Sequence, residues 1–193
     1  MKTERCVIFS SLLLMLSLPA QAHTGAGTVH GFVDGLLHPL MGIDHLLVML
    51  AIGLWAVMLG GRALWLLPVS FLLMMAAGAG LQLAGFTFNS AETWVAFSVL
   101  VSGLLVWRNY HISSGLAVAL AGGFALIHGF VHASELQSGA DASAYAAGFL
   151  FTTVLLHVIG IAAGLSGMSR LKVISTGFGL LCAIVGTTLL AGV

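Results

Sequence analysis

Charge is what this sequence has least of. Six Lys and Arg and six Asp and Glu among 193 residues make it 6% charged, where a soluble domain carries about 25%. So few charges exclude a water-covered surface, and the chain reads as a membrane protein. The charges cancel to a net of zero and no basic run occurs, which excludes a face for the phosphates of nucleic acid. Two cysteines, Cys6 and Cys182, each in an apolar segment, exclude a disulfide framework. No nucleotide-binding motif, internal repeat or low-complexity tract is visible. Only Pro19, Pro39 and Pro68 interrupt the backbone.

What is present is apolar length, glycine and histidine. The chain is 60% hydrophobic with 25 Gly and eight His, and its mean hydropathy is +1.12. Lys2 and Arg5, an apolar run over 6–18, Pro19 and the small residues of Ala20-Gln21-Ala22 predict a cleavable signal peptide over 1–22. The mature chain, 23–193, is predicted to be one domain, an all-α bundle of about six transmembrane helices. They fall at about 40–59, 63–83, 92–107, 112–132, 143–165 and 173–193, each near the ~20 apolar residues a bilayer requires. Pro68 is expected to kink the second. Trp55, Trp65, Trp94 and Trp107 are read as interfacial anchors. Gly78-Ala79-Gly80, Ala121-Gly122-Gly123 and Gly160-x-x-x-Gly164 are read as close helix contacts. Arg62, Arg108, Arg170 and Lys172 fall in alternate loops. That bias predicts an inner-membrane protein with its mature N-terminus in the periplasm.

Ionisable groups inside spans are rare and functional by default. His38, Asp44 and His45 stand at the mouth of the first span. On a straight helix His38 and His45 are about 10.5 Å apart along the axis, too far for one ion. Pro39 disfavours helix at His38 and suits a helix start. A break at Pro39–Gly42, with the helix beginning near Pro39 and His38 folded back, lets the three converge; alternatively they meet the imidazoles of the fourth span, which lie at the same outer face, if the two spans are adjacent. A straight helix instead makes a ladder of stations, His30, Asp34, His38 and His45, which a conduction path also accommodates. His128 and His132 lie one turn apart near the outer end of the fourth span, and Glu135 follows at i+3. Such neighbours can share an ion with bonds of about 2.0–2.1 Å, or form a hydrogen-bonded structural pair. Glu does not follow the first His, so this is not the zinc-protease signature. His157, deeper in the fifth span, is a further station or a core histidine. His23, at the predicted new N-terminus, offers an amine and an imidazole. Glu92 and Asp141 fit helix capping or dipole pairing, and His111 a solvated loop. Imidazole with carboxylate suits nickel, zinc, cobalt or iron, and the lack of thiolate argues against copper(I).

The run His38-x5-Asp44-His45, continued by Leu46-Leu47-Val48-Met49-Leu50-Ala51-Ile52-Gly53-Leu54-Trp55-Ala56, resembles the signature of the HupE/UreJ family, and the resemblance covers essentially the whole chain. Members accompany hydrogenase and urease gene sets and are regarded as nickel permeases, some of them for cobalt. The resemblance implies metal-contacting roles for His38, Asp44, His45, His128, His132 and Glu135. The chain departs from the family pattern at Phe130, usually His, and at Ala133, usually Gly. The expected function is therefore uptake of a divalent metal, nickel first and Co2+ or Zn2+ next, with no tightly bound cofactor and no enzymatic activity. Its expected partners are the lipid bilayer and the ion, and a homo-oligomer stays open. The alternatives are an intramembrane metalloenzyme and a non-transporting accessory protein for hydrogenase or urease maturation.

Overall fold

The computed structural model describes residues 31–136 and 140–192. The predicted signal peptide, His23 and His30 lie outside the described residues. Within them every regular element is helical: α1 (Phe32–Met41), α2 (Ile43–Leu59), α3 (Ala63–Leu83), α4 (Ala91–Trp107), α5 (Ser114–Ser134), α6 (Ala142–Ser166), a 3-10 turn (Met168–Arg170) and α7 (Leu171–Gly192). By length and composition α3, α5, α6 and α7 with its 3-10 turn can each cross a membrane. α1 and α2 qualify only as a pair, bent by 82°, and α4 is short at 17 residues. The six spans expected from hydropathy thus correspond to four, or five with the bent pair counted as one, and a shorter apolar helix. Leu73, Phe151, Val158, Ile159 and Val173 are exposed on the outside of the bundle, as lipid-facing side chains of a multi-pass membrane protein are.

α2 is the pillar. Thirteen of its 17 residues are buried, and it packs on α1, α3, α4, α6 and α7. A helix apolar on every side has no solvent face to keep and belongs in the core. Around it α3 pairs with α5, α4 with α7, and α6 with both α1 and α2. These contacts run backbone to backbone through glycine. A Cβ on Gly78 would strike the Leu126 carbonyl, and one on Gly129 the Met75 carbonyl. Gly53 and Gly160 meet in the same way between α2 and α6, and Gly103 and Gly179 between α4 and α7. In a bilayer, close packing replaces the hydrophobic drive that lipid removes. Of the small-residue patches read from the sequence, Gly78 and Gly160 sit at such contacts, whereas Gly80 and Gly123 face open space. The α2–α3 turn uses Gly60 and Gly61 at φ of 65° and 51°, a region glycine enters without steric cost.

Two local expectations are corrected. The break in the first span falls at Gly42, at the end of the Pro39–Gly42 stretch where it was expected, but the next helix starts after it at Ile43 and Pro39 stays inside α1. Pro39 lacks the N–H that would bond the Gly35 carbonyl four residues back, and the chain turns three residues later at Gly42. α3 runs continuously from Ala63 to Leu83 through Pro68. Trp55 is no interfacial anchor: it is fully buried in the core, while Trp65 and Trp94 are exposed.

Candidate metal centre

The 82° bend brings α1 back across the top of α2. Gly35 of α1 packs on the Tyr145 carbonyl, Gly148 of α6 packs on the Phe32 carbonyl, and the Thr152 hydroxyl donates to the Leu36 carbonyl at 2.7 Å. α1 is thus held on α6, and His38 is carried over the start of α2. There it meets His45 of α2 and His132 of α5. One donor atom from each of the three lies within 4.8 Å of the others. Ring centroids are 4.7 Å apart for His38 and His132, 4.3 Å for His45 and His132, and 5.7 Å for His38 and His45. His128 joins at 5.4 Å from His45. α2 and α5 are not a closely packed pair; their imidazoles fill the space between them.

The second nitrogen of three of these rings has its own partner. His128 Nδ1–H donates to the Phe124 carbonyl at 2.8 Å, which leaves the lone pair on Nε2. His132 Nδ1 faces Glu135 Oε2 at 3.4 Å, and its Nε2 is buried with no hydrogen-bond partner among the described residues. His45 Nδ1 lies 2.7 Å from Asp44 Oδ1, and both side chains are fully buried. A carboxylate or carbonyl on one nitrogen sets the tautomer and turns the other toward a metal. Glu135 serves two rings, since its Oε2 is also 3.5 Å from His38 Nε2. Burying a carboxylate such as Asp44 inside a span costs about 2.5–3.5 kcal/mol, and the His45 contact offsets part of that cost.

The donor set suits an ion. Two donors bonded at ~2.1 Å to one ion are at most about 4.2 Å apart. Three donors within 4.8 Å of one another stand near that limit. Phe149 and Tyr145 border the cluster, with Phe149 4.3 Å from His132 and Tyr145 6.0 Å from His38 between ring centroids. Neither was singled out in the sequence, because an aromatic in an apolar helix carries no signal of its own. His132 also forms part of the wall of an otherwise apolar cavity of about 380 Å³, with Met75, Leu83, Phe149 and Leu150.

The remaining candidates separate. Asp34 lies one turn before His38 on α1, outside the three-imidazole group. His157 is buried on α6, below the cluster. Asp141 caps α6 by accepting from Ala144 N–H at 2.9 Å and the Ser143 hydroxyl at 2.6 Å, as its position predicted. Glu92 borders a separate cavity of about 350 Å³ with Gln82, Asn89 and Ser134. On the opposite side of the bundle, His111 Nδ1–H donates to the Asn109 carbonyl at 3.1 Å.

The family model described as HupE / UreJ protein matches residues 11–189. The chain belongs to the HupE/UreJ family. It is 40% identical over 187 residues to Protein HupE of Rhizobium leguminosarum bv. viciae, covering 95% of this chain and 97% of that protein. No solved structure matches. The geometry explains one departure from the HupE/UreJ pattern. Phe130, where the family usually has histidine, packs on Phe88 with ring centroids 6.2 Å apart, in a small apolar cluster with Ala91, Val95 and Val131. It lines the Glu92 cavity, so its side chain lies away from the imidazoles and the main cluster keeps its donors.

Proposed function

We propose that this HupE/UreJ protein is an inner-membrane permease that takes a divalent transition metal, nickel foremost, from the periplasm. The carrying observation is the gathering of His38, His45 and His132 from three different helices, with donor atoms within 4.8 Å, at the end of a membrane bundle. The basic residues in alternate loops support an outside position for that end. His38 and Glu135 are the half-exposed members, each about one-quarter accessible, and form the entrance. His45 and His128 are fully buried and form the inner edge. Imidazole with carboxylate selects nickel, cobalt or zinc over calcium and magnesium. An ion that must leave again needs sites that are several and weak, and imidazoles carried by three separate helices fit that need. The membrane potential supplies about 4.6 kcal/mol per 100 mV to an entering dication, enough to drive uptake without a nucleotide.

The purified protein in proteoliposomes, with an inside-negative potential and a trapped nickel indicator, tests this. Wild type should admit nickel, and cobalt and zinc should compete. His132→Ala and Glu135→Gln should each lower the initial rate at least tenfold while inserting normally. Wild-type vesicles impermeable to nickel refute transport and favour the accessory role. The apolar cavity beside His132 supports a second reading, an intramembrane metalloenzyme with a lipid-soluble substrate; it too would leave vesicles impermeable.

A further inference from the structure

Below the outer cluster, His157 is the one other imidazole buried among the described residues, at 1% exposure. Neither of its ring nitrogens has a hydrogen-bond partner among those residues. A buried polar group without a partner costs roughly 1–3 kcal/mol, and an imidazole presents two such atoms. A packing residue at this place would be apolar, as nearly all its neighbours are. Its position is equally particular. It lies eight residues beyond Phe149, which is about 12 Å further along α6, and Phe149 touches the outer imidazoles. Phe71 of α3 contacts both levels, with ring centroids 6.1 Å from His128 and 5.1 Å from His157. His157 therefore borders the same space between helices as the outer cluster and does not face lipid. One turn above it Thr153, fully buried, donates its hydroxyl proton to the Phe149 carbonyl at 2.9 Å and has only lone pairs left to offer.

We propose that His157 is an inner station for the same divalent transition ion, which it takes from the outer cluster and holds through one ring nitrogen in the middle of the bundle. The assignment rests on the permease reading. A borderline nitrogen donor alone in an apolar surround stabilises nickel or cobalt more than calcium or magnesium, and a single protein ligand holds the ion weakly enough to pass it on.

Two substitutions test it in the proteoliposome assay with nickel as the probe. His157→Leu removes both unpartnered nitrogens and keeps an apolar volume, so its melting temperature should equal or exceed that of wild type. Its nickel influx should nevertheless fall at least tenfold, while equilibrium nickel binding by the detergent-solubilised protein stays within twofold, because the outer cluster is untouched. A histidine needed only for structure gives the reverse, a lower melting temperature with influx falling only in proportion to folded protein. Should His157→Leu fold poorly, His157→Gln serves in its place. Wild-type influx in either folded variant overturns the inner station and leaves the permease standing. Wild-type vesicles that admit no nickel overturn both.

Discussion

Gly42→Ala should leave the bundle folded and weaken nickel binding, although residue 42 supplies no ligand. Gly42 sits at the bend with φ −86° and ψ 117°, an extended conformation open to any residue. Alanine there meets no backbone strain and narrows the unfolded ensemble, a gain of about 0.4–1 kcal/mol. Its methyl group is the difficulty. A Cβ at this position would stand 2.8 Å from Asp44 Oδ1 and 3.3 Å from His45 Cε1, and closer still to His45 Nδ1. Comfortable contacts are about 3.5–4.0 Å, so the carboxylate and the ring must retreat by roughly 0.5–1 Å. Metal–ligand distances tolerate only about ±0.2 Å. Disturbing a contact that orients a ligand typically costs 10–100-fold in affinity, or about 1.4–2.7 kcal/mol. Equilibrium binding of radioactive nickel to the purified protein, beside a thermal melt, measures both halves. A dissociation constant within threefold of wild type, with an unchanged melt, would refute the reasoning; it would mean that the Asp44–His45 contact does not set the geometry of the site.

Two further outcomes follow from the packing and the caps. Gly129→Val drives side-chain atoms into the Met75 carbonyl and must part α3 from α5, whereas Gly123→Ala enters open space. The first should lower the melting temperature sharply, by more than the roughly 1–3 kcal/mol of ordinary overpacking, while the second should leave it level or raise it. Asp141 has its carboxyl held below the ordinary 3.8, first by the Ser143 hydroxyl and then by the Ala144 N–H. A depressed carboxyl stabilises the fold above its unfolded range and loses that effect as pH falls through the folded value. Melting curves from pH 6 to pH 3 should therefore show wild type ahead of Asp141→Asn near neutrality and the two converging in acid; a pH-independent gap would contradict this.

Much of the helix pattern was legible. Polar breaks bound the apolar runs so sharply that α3 begins and ends at the predicted residues and α4, α5 and α6 lie within two residues of theirs at each end. The spacing of His128, His132 and Glu135 identified one wall of the site, because four-residue spacing on a helix is itself a statement about space. That this wall could meet His38 and His45 was legible from their common end of the bundle; that it does meet them was not. It depends on the bend falling at Gly42, and on Gly35 and Gly148 holding α1 on α6. Those glycines have the same local signature as Gly80 or Gly123, which touch nothing; only the register of the partner helix separates them. Trp55 was misplaced for the same reason, since hydropathy locates a residue along a span but does not say which way it faces.

The glycine contacts also decide which parts of the protein are free to vary. Where α1 and α2 meet α6 main chain to main chain, the span between His38 and His45 is fixed by the polypeptide itself and not by the bulk of interposed side chains. The lipid-facing residues can then be exchanged wholesale, as a cell alters the thickness or fluidity of its membrane, without retuning the distance between nitrogens. A designer could likewise rebuild the outside of this bundle for a different bilayer and expect His38 and His45 to keep their spacing.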